Sequence, residues 1–265
     1  MREHRMRTDE TGVPSYRGNA IAAGVLFILC SAAAILSLVP LGAPVGAPVD
    51  FARLAANGNR VVLTAVIEFV WAATGMGIAI SLYPVLRKFN PALALGSVIG
   101  RVVENVLILV ATLSLLALLT VSQEAVAAGS AGVASAVTES NLLLALREWD
   151  HELVMLIPFG VGSFLYNFVL YRSRLVPRWL SGWGIVAIVL SMVPAFYAAF
   201  TQEFGFTTIN NVMNVPIALQ EMTLAVWLIV KGFSPRALAS AAGIGEAPHE
   251  GSGLYRQGLH VGASA

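Results

Sequence analysis

The apolar run at 92–121 constrains this chain more than any other stretch, because Arg101-Val-Val-Glu104 sits well inside it. A run of that length reads as a membrane-crossing helix. Three residues apart on a helix, Arg101 and Glu104 share one face, and Asn105, Ile108 and Thr112 extend it. A charge at the centre of a bilayer costs roughly 2.5–3.5 kcal/mol on insertion scales, so both residues require partners on neighbouring helices.

The rest of the chain supports the same class. Its 265 residues are 57% hydrophobic and 12% charged, with a mean hydropathy of +0.76. Soluble domains carry about 25% charged residues. An all-α, polytopic membrane protein follows, with the lipid bilayer as its first partner. A net charge of +1 gives no support to nucleic-acid binding. The single cysteine, Cys30, excludes an intrachain disulfide and reads as a packing residue.

Taken in order, the chain predicts a disordered, basic tail at 1–17 and a membrane domain at 18–233. Six spans are expected at about 21–41, 61–82, 92–121, 148–170, 180–200 and 213–230. The first is too long for a signal-peptide core. Between the first two spans, Asp50-Phe-Ala-Arg-Leu-Ala-Ala56 has the composition of a short interfacial helix. The Ser/Ala/Gly-rich stretch at 122–147 reads as a partly mobile loop, Gly160-Val-Gly162 as a kink, and 234–265 as a second disordered tail.

Of the sixteen Lys and Arg, twelve fall in the two tails and in the hairpins at 83–91 and 171–178. Arg53, Arg60 and Arg147 lie on the other side, and Arg101 lies in the membrane. The positive-inside rule then puts both termini in the cytoplasm, a parity that six spans satisfy.

Several segments resemble a known family: Leu82-Tyr-Pro-Val-Leu-Arg-Lys88 followed by Arg101-Val-Val-Glu104, Leu170-Tyr-Arg-Ser-Arg-Leu-Val-Pro-Arg-Trp-Leu180, and Glu221 followed by Trp227-Leu-Ile-Val-Lys-Gly-Phe233. In order and topology they are similar to the bacterial six-span membrane proteins grouped as domain of unknown function 4386. The resemblance runs from about 18 to 233. It implies a six-helix protein of the bacterial cytoplasmic (inner) membrane, and it implies no activity.

The candidate ion- or ligand-binding residues are Glu68, Arg101, Glu104, Gln220 and Glu221, with Asp150, His151, Glu152 and Asn167 as secondary candidates. Glu68 is expected about 10 Å below the outer end of span two and Glu221 about 12 Å below that of span six. One site in the outer half of the bundle would gather them. Arg101 can neutralise only one carboxylate of Glu68, Glu104 and Glu221, so at least one of Glu68 and Glu221 should be neutral at pH 7 or bound to a cation. The bland alternative is that these groups are interhelical clamps that fix packing.

Three function classes stay open on the sequence: a small carrier, channel or ligand sensor; an intramembrane enzyme, perhaps lipid-directed; and a structural or assembly subunit. The enzyme reading would use His151 and Glu152 with Glu68 or Glu221 as metal ligands. No His-x-x-x-His or His-Glu-x-x-His spacing supports it. Ser163 lacks a Gly-x-Ser-x-Gly elbow, and neither phosphate loops nor paired haem-type histidines occur, so no cofactor is indicated.

Overall fold

In the computed structural model, which describes residues 16–42, 45–205 and 207–242, the chain has helices α1 (Arg17–Leu36), α2 (Phe51–Ala56), α3 (Gly58–Leu86), α4 (Pro91–Ala128), α5 (Ser130–Trp149), α6 (Leu156–Ser173), α7 (Arg178–Thr201), α8 (Thr208–Val230) and α9 (Pro235–Ala241). No strand occurs among the described residues. Local chemistry sets the helix starts. Asn90 accepts a hydrogen bond from the Leu93 N–H (3.0 Å) ahead of Pro91, which opens α4. Thr207 caps α8 by accepting from Asn210 N–H at 3.1 Å. Asp50 caps α2, the expected interfacial helix, by accepting from Arg53 N–H at 2.9 Å.

Six helical stretches are long and apolar enough to cross a membrane: Arg17–Leu36, Gly58–Leu86, Pro91–Ala128, Gly132–Ser173, Arg178–Thr201 and Thr208–Val230. They form a closed ring in chain order: α1 packs on α3, α3 on α4, α4 on α6, α6 on α7, α7 on α8, and α8 back on α1. Burial is inverted relative to a soluble domain. Leu113 is 65% exposed and Phe200 88%, whereas Arg101 is 2% exposed and Asn105 and Gln220 are 0%. Apolar side chains outside and polar ones inside are what a hydrocarbon solvent selects.

Glycine brings α4 and α6 together. A Cβ on Gly100 would meet Gly162 Cα at 2.8 Å and Pro158 O at 2.9 Å. Backbones approach this closely only where small residues face each other. α6 stays helical through Gly160 and Gly162, which lie against Met192 and the α4 backbone in close packing.

Three expectations about the polar segments are corrected. The loop expected at 122–147 is helix: α4 continues to Ala128 and, after Gly129 (φ +63°), α5 doubles back along it. Alanine is the best helix former, and pairing the two helices buries Leu115, Leu118 and Leu119 with Leu54 and partly buried Leu143. Thirty-eight residues of α4 span about 57 Å, far beyond a ~30 Å hydrocarbon core, so its last turns, α5 and α2 make a cap at one end of the ring. The segment 234–265 is not wholly irregular, because Ser234 starts α9 there. At the other tail, Arg17 is already helical and its guanidinium donates to Leu228 O (3.1 Å) and Ile229 O at the end of α8. Residues 1–15 and 243–265, the bulk of both expected tails, lie outside the described residues.

Candidate functional site

Buried positions on α4 recur every three or four residues (Ala94, Ser97, Arg101, Glu104, Asn105, Ile108, Thr112), so one stripe of that helix faces the ring interior. Arg101 lies on this stripe. Its Nη1 stands 3.0 Å from Glu104 Oε2, and its guanidinium sits over the Phe159 ring at 5.2 Å. Asn105 donates from Nδ2 to Arg101 O at 2.6 Å.

α6 and α8 supply the opposite walls. Ser163, Tyr166 and Asn167 are buried on α6, with Asn167 Nδ2 donating to Ser163 O at 3.0 Å. On α8, Gln220 donates from Nε2 to Leu180 O at 3.3 Å and to Asn167 Oδ1 at 3.5 Å. Glu221 follows Gln220 and lies within electrostatic reach of Arg101. Tyr166 packs edge-on against Phe27 of α1, with ring centroids 6.2 Å apart.

Most of these groups lie within about 10 Å of one another along the helix axes, from Tyr166 at about 10 Å to Asn105 at about 21 Å from the basic helix ends. Counted from the basic helix ends, Arg101, Ser163, Gln220 and Glu221 all fall about 14–15 Å in, and Glu104 about 20 Å.

The set is short of internal partners. Arg101 Nε and Nη1, Glu104 Oε2, Asn105 Oδ1, Ser163 Oγ, Tyr166 Oη, Gln220 Oε1 and Glu221 Oε1 are all buried and make no hydrogen bond. Arg101 and Glu104 attract each other, but their pairing geometry does not complete a hydrogen bond. At about 1–3 kcal/mol per buried orphan, these eight atoms represent on the order of 10 kcal/mol, comparable with the whole stability of a domain. A polar molecule or ion among them removes that penalty.

Glu68 does not belong to this cluster. The Arg147 guanidinium binds it with both terminal nitrogens, and Thr112 Oγ1 donates to Oε2 at 2.7 Å. Arg147 also donates from Nη1 to Ala111 O at 2.8 Å. Thr112 is eleven residues beyond Arg101 on α4, which places this clamp about 16 Å farther along the helix. The single outer-half site expected from the sequence is therefore two sites. The charge count changes with it. Glu68 has its own cation, and the excess carboxylate is left between Glu104 and Glu221.

Sequence reasoning missed Arg147 because it assigned that residue to a loop. The available signal was helical spacing: Arg147 O lies 3.0 Å from His151 Nδ1, four residues on. Asn105, Ser163 and Tyr166 are not among the sequence candidates, yet each adds an unpartnered buried atom to the cluster.

Of the secondary candidates, only Asn167 joins the cluster. Asp150, His151 and Glu152 lie in a π turn, Asp150–Val154, closed by the Met155 N–H to Asp150 O bond of 3.0 Å. Asp150 is buried, and the His151 ring leans on Trp71 at 6.3 Å between centroids. Glu152 accepts from Gly205 N–H (2.9 Å) and Asn210 Nδ2 (3.2 Å), tying the α7–α8 connection to the π turn. Among the described residues, no three His, Cys, Asp or Glu side chains gather in a way that could hold a metal ion.

The family described as domain of unknown function (DUF4386) matches residues 22–232. The chain belongs to that family. The DUF4386 match therefore runs from within α1 to just past the end of α8, with both arginine–glutamate pairs inside it. No curated protein and no solved structure matches the chain.

Proposed function

We propose that this DUF4386 protein binds a small polar solute or an ion at the buried polar cluster within the ring, as a carrier, channel or ligand sensor of the bacterial cytoplasmic membrane with both termini inside. The observation that carries this reading is the set of unpartnered buried atoms that α4, α6 and α8 contribute to one polar cluster. Packing clamps satisfy their own groups, as Glu68 and Arg147 do, whereas binding sites hold donors and acceptors ready for something else. Midplane sites built from facing helices are the usual arrangement in secondary transporters.

The charges narrow the occupant. One guanidinium, Arg101, faces two carboxylates, Glu104 and Glu221, so the cluster is neutral when it also holds one positive charge: a proton, a monovalent metal ion or an ammonium group. Arg101 is the fixed charge and Glu221 the acceptor with an oxygen free of internal bonds. The enzyme reading draws no support from the geometry, because His151 is turned to Trp71 and Glu152 is occupied by the α7–α8 connection.

Thermal melts of detergent-purified protein, in Na⁺, K⁺, ammonium and choline buffers across pH, test the proposal. A cation- or pH-dependent melting temperature that Glu221→Gln abolishes is expected. Identical melts for wild type and Glu221→Gln in every buffer would refute it.

A further inference from the structure

At the opposite end of the ring from the cap, α6 turns into α7 beside the end of α8 and the start of α9, and a cleft of about 560 Å³ opens there. Arg174, Arg178 and Lys231 line it, with Trp227, Val176 and Phe233 among its apolar walls. A 2.8 Å hydrogen bond from Ser234 N–H to Leu175 O closes one rim. No carboxylate lines the cleft, and among the described residues none of the three cations has an ion-pair partner.

A general preference for basic residues in cytoplasmic turns accounts for their number but not their placement. Arg174 occupies a left-handed backbone conformation (φ +56°) just after α6, where glycine is the ordinary choice. Arg178 is the first residue of α7, where the helix dipole opposes a cation, and α7 has no side-chain cap. Its guanidinium is held against the Tyr171 ring at 5.2 Å. Arg174, the C-cap of α6, and Lys231, the C-cap of α8, stand where helix dipoles favour a cation. Arg178 thus stands against its helix dipole and Arg174 holds a backbone conformation costly for any side chain, with both beside Lys231 and lining one cleft. An anion in the cleft reverses the dipole conflict and pairs all three.

We propose that this cleft binds the phosphate headgroup of an acidic phospholipid from the leaflet at the basic end of the ring. The apolar walls place the upper acyl chains against Val176, Trp227 and Phe233, which a free inorganic anion would leave unused. Trp179 and Trp183, stacked 6.4 Å apart on the first turns of α7, mark the same depth as the membrane interface. Basic pockets between crossing helices at the cytoplasmic surface are suited to such headgroups. This site is independent of the buried polar cluster.

The experiment uses full-length protein, delipidated in an uncharged detergent and titrated with short-chain phosphatidylglycerol, short-chain phosphatidylcholine or inorganic phosphate. Intrinsic tryptophan fluorescence reports on Trp227, with Trp227→Phe as the check on that signal. Saturable binding of phosphatidylglycerol is expected, weakened at least tenfold in Arg174→Gln/Arg178→Gln. Arg87→Gln/Lys88→Gln removes two charges from the other hairpin at the same end and should bind like wild type. Equal loss in both double variants would reduce the effect to general surface charge and overturn the proposal. So would equal binding of phosphatidylcholine, or full competition by millimolar phosphate, which would make the site one for a free anion. Tight binding only after deletion of 243–265 would instead make the acidic tail residues Glu246 and Glu250 the native occupants, which also overturns it.

Discussion

Two buried arginine–glutamate pairs about 16 Å apart along α4 differ in how completely they are satisfied. At the cap end, Glu68 receives Arg147 through two nitrogens and Thr112 through its hydroxyl. Inside the ring, Arg101 and Glu104 meet at 3.0 Å but leave nitrogens and an oxygen unbonded, with Glu221, Asn105, Ser163, Tyr166 and Gln220 in the same condition. The two pairs contain the same residue types in the same kind of helix. Completeness of hydrogen bonding separates them: the first pair locks α3, α4 and α5 together, and the second keeps bonding capacity in reserve.

That contrast predicts a ranking of effects. Arg147→Leu strands a buried carboxylate and should cost about 3–5 kcal/mol, read as a lower melting temperature in detergent. Adding Glu68→Gln to it should recover part of the loss. No loss from Arg147→Leu would break the contrast. Next in size, Gly162→Leu drives a side chain into the α4 backbone at Ser97 and Arg101 and should destabilise by about 1–3 kcal/mol while displacing Arg101. Loss of cation-dependent melting in this variant, with Arg147 intact, would show that cluster geometry rather than the clamp carries the response.

Glu152→Ala removes the acceptor for Gly205 N–H and Asn210 Nδ2 and should cost about 1 kcal/mol. Amide hydrogen exchange should accelerate in the α7–α8 connection and nowhere else. The smallest stability effect belongs to Glu221→Gln. Exchanging an incompletely paired carboxylate for a neutral amide should change stability by less than about 1 kcal/mol while removing ion dependence. A large loss of stability there would mean that Glu221 is a clamp after all, and the two regions would no longer differ.

The sequence carried the ring more clearly than it carried the sites. Long apolar runs need only length and composition to be read, and all six appear as helices long and apolar enough to cross a membrane. The α4–α5 cap was hidden because Ser, Ala and Gly between 122 and 147 describe a loop as well as a helix, and the decision rests on packing against Leu54, Leu118 and Leu143. Arg101 and Glu104 were visible because they interrupt an apolar run and lie one turn apart. Arg147 was invisible as a partner because it is 79 residues from Glu68 and reaches it only once α5 exists as a helix in a given register.

What the sequence determined by itself is the class of the protein: six apolar stretches, basic turns between them, and charges that a bilayer tolerates only when they face inward. These are properties of single segments against a solvent, so each segment declares them alone. Which carboxylate is paired, which is left with an open oxygen, and which cations line one cleft were decided only by tertiary structure. Hydrogen bonding between helices depends on rotation and depth to within an ångström or two, and no segment contains that information about its neighbour.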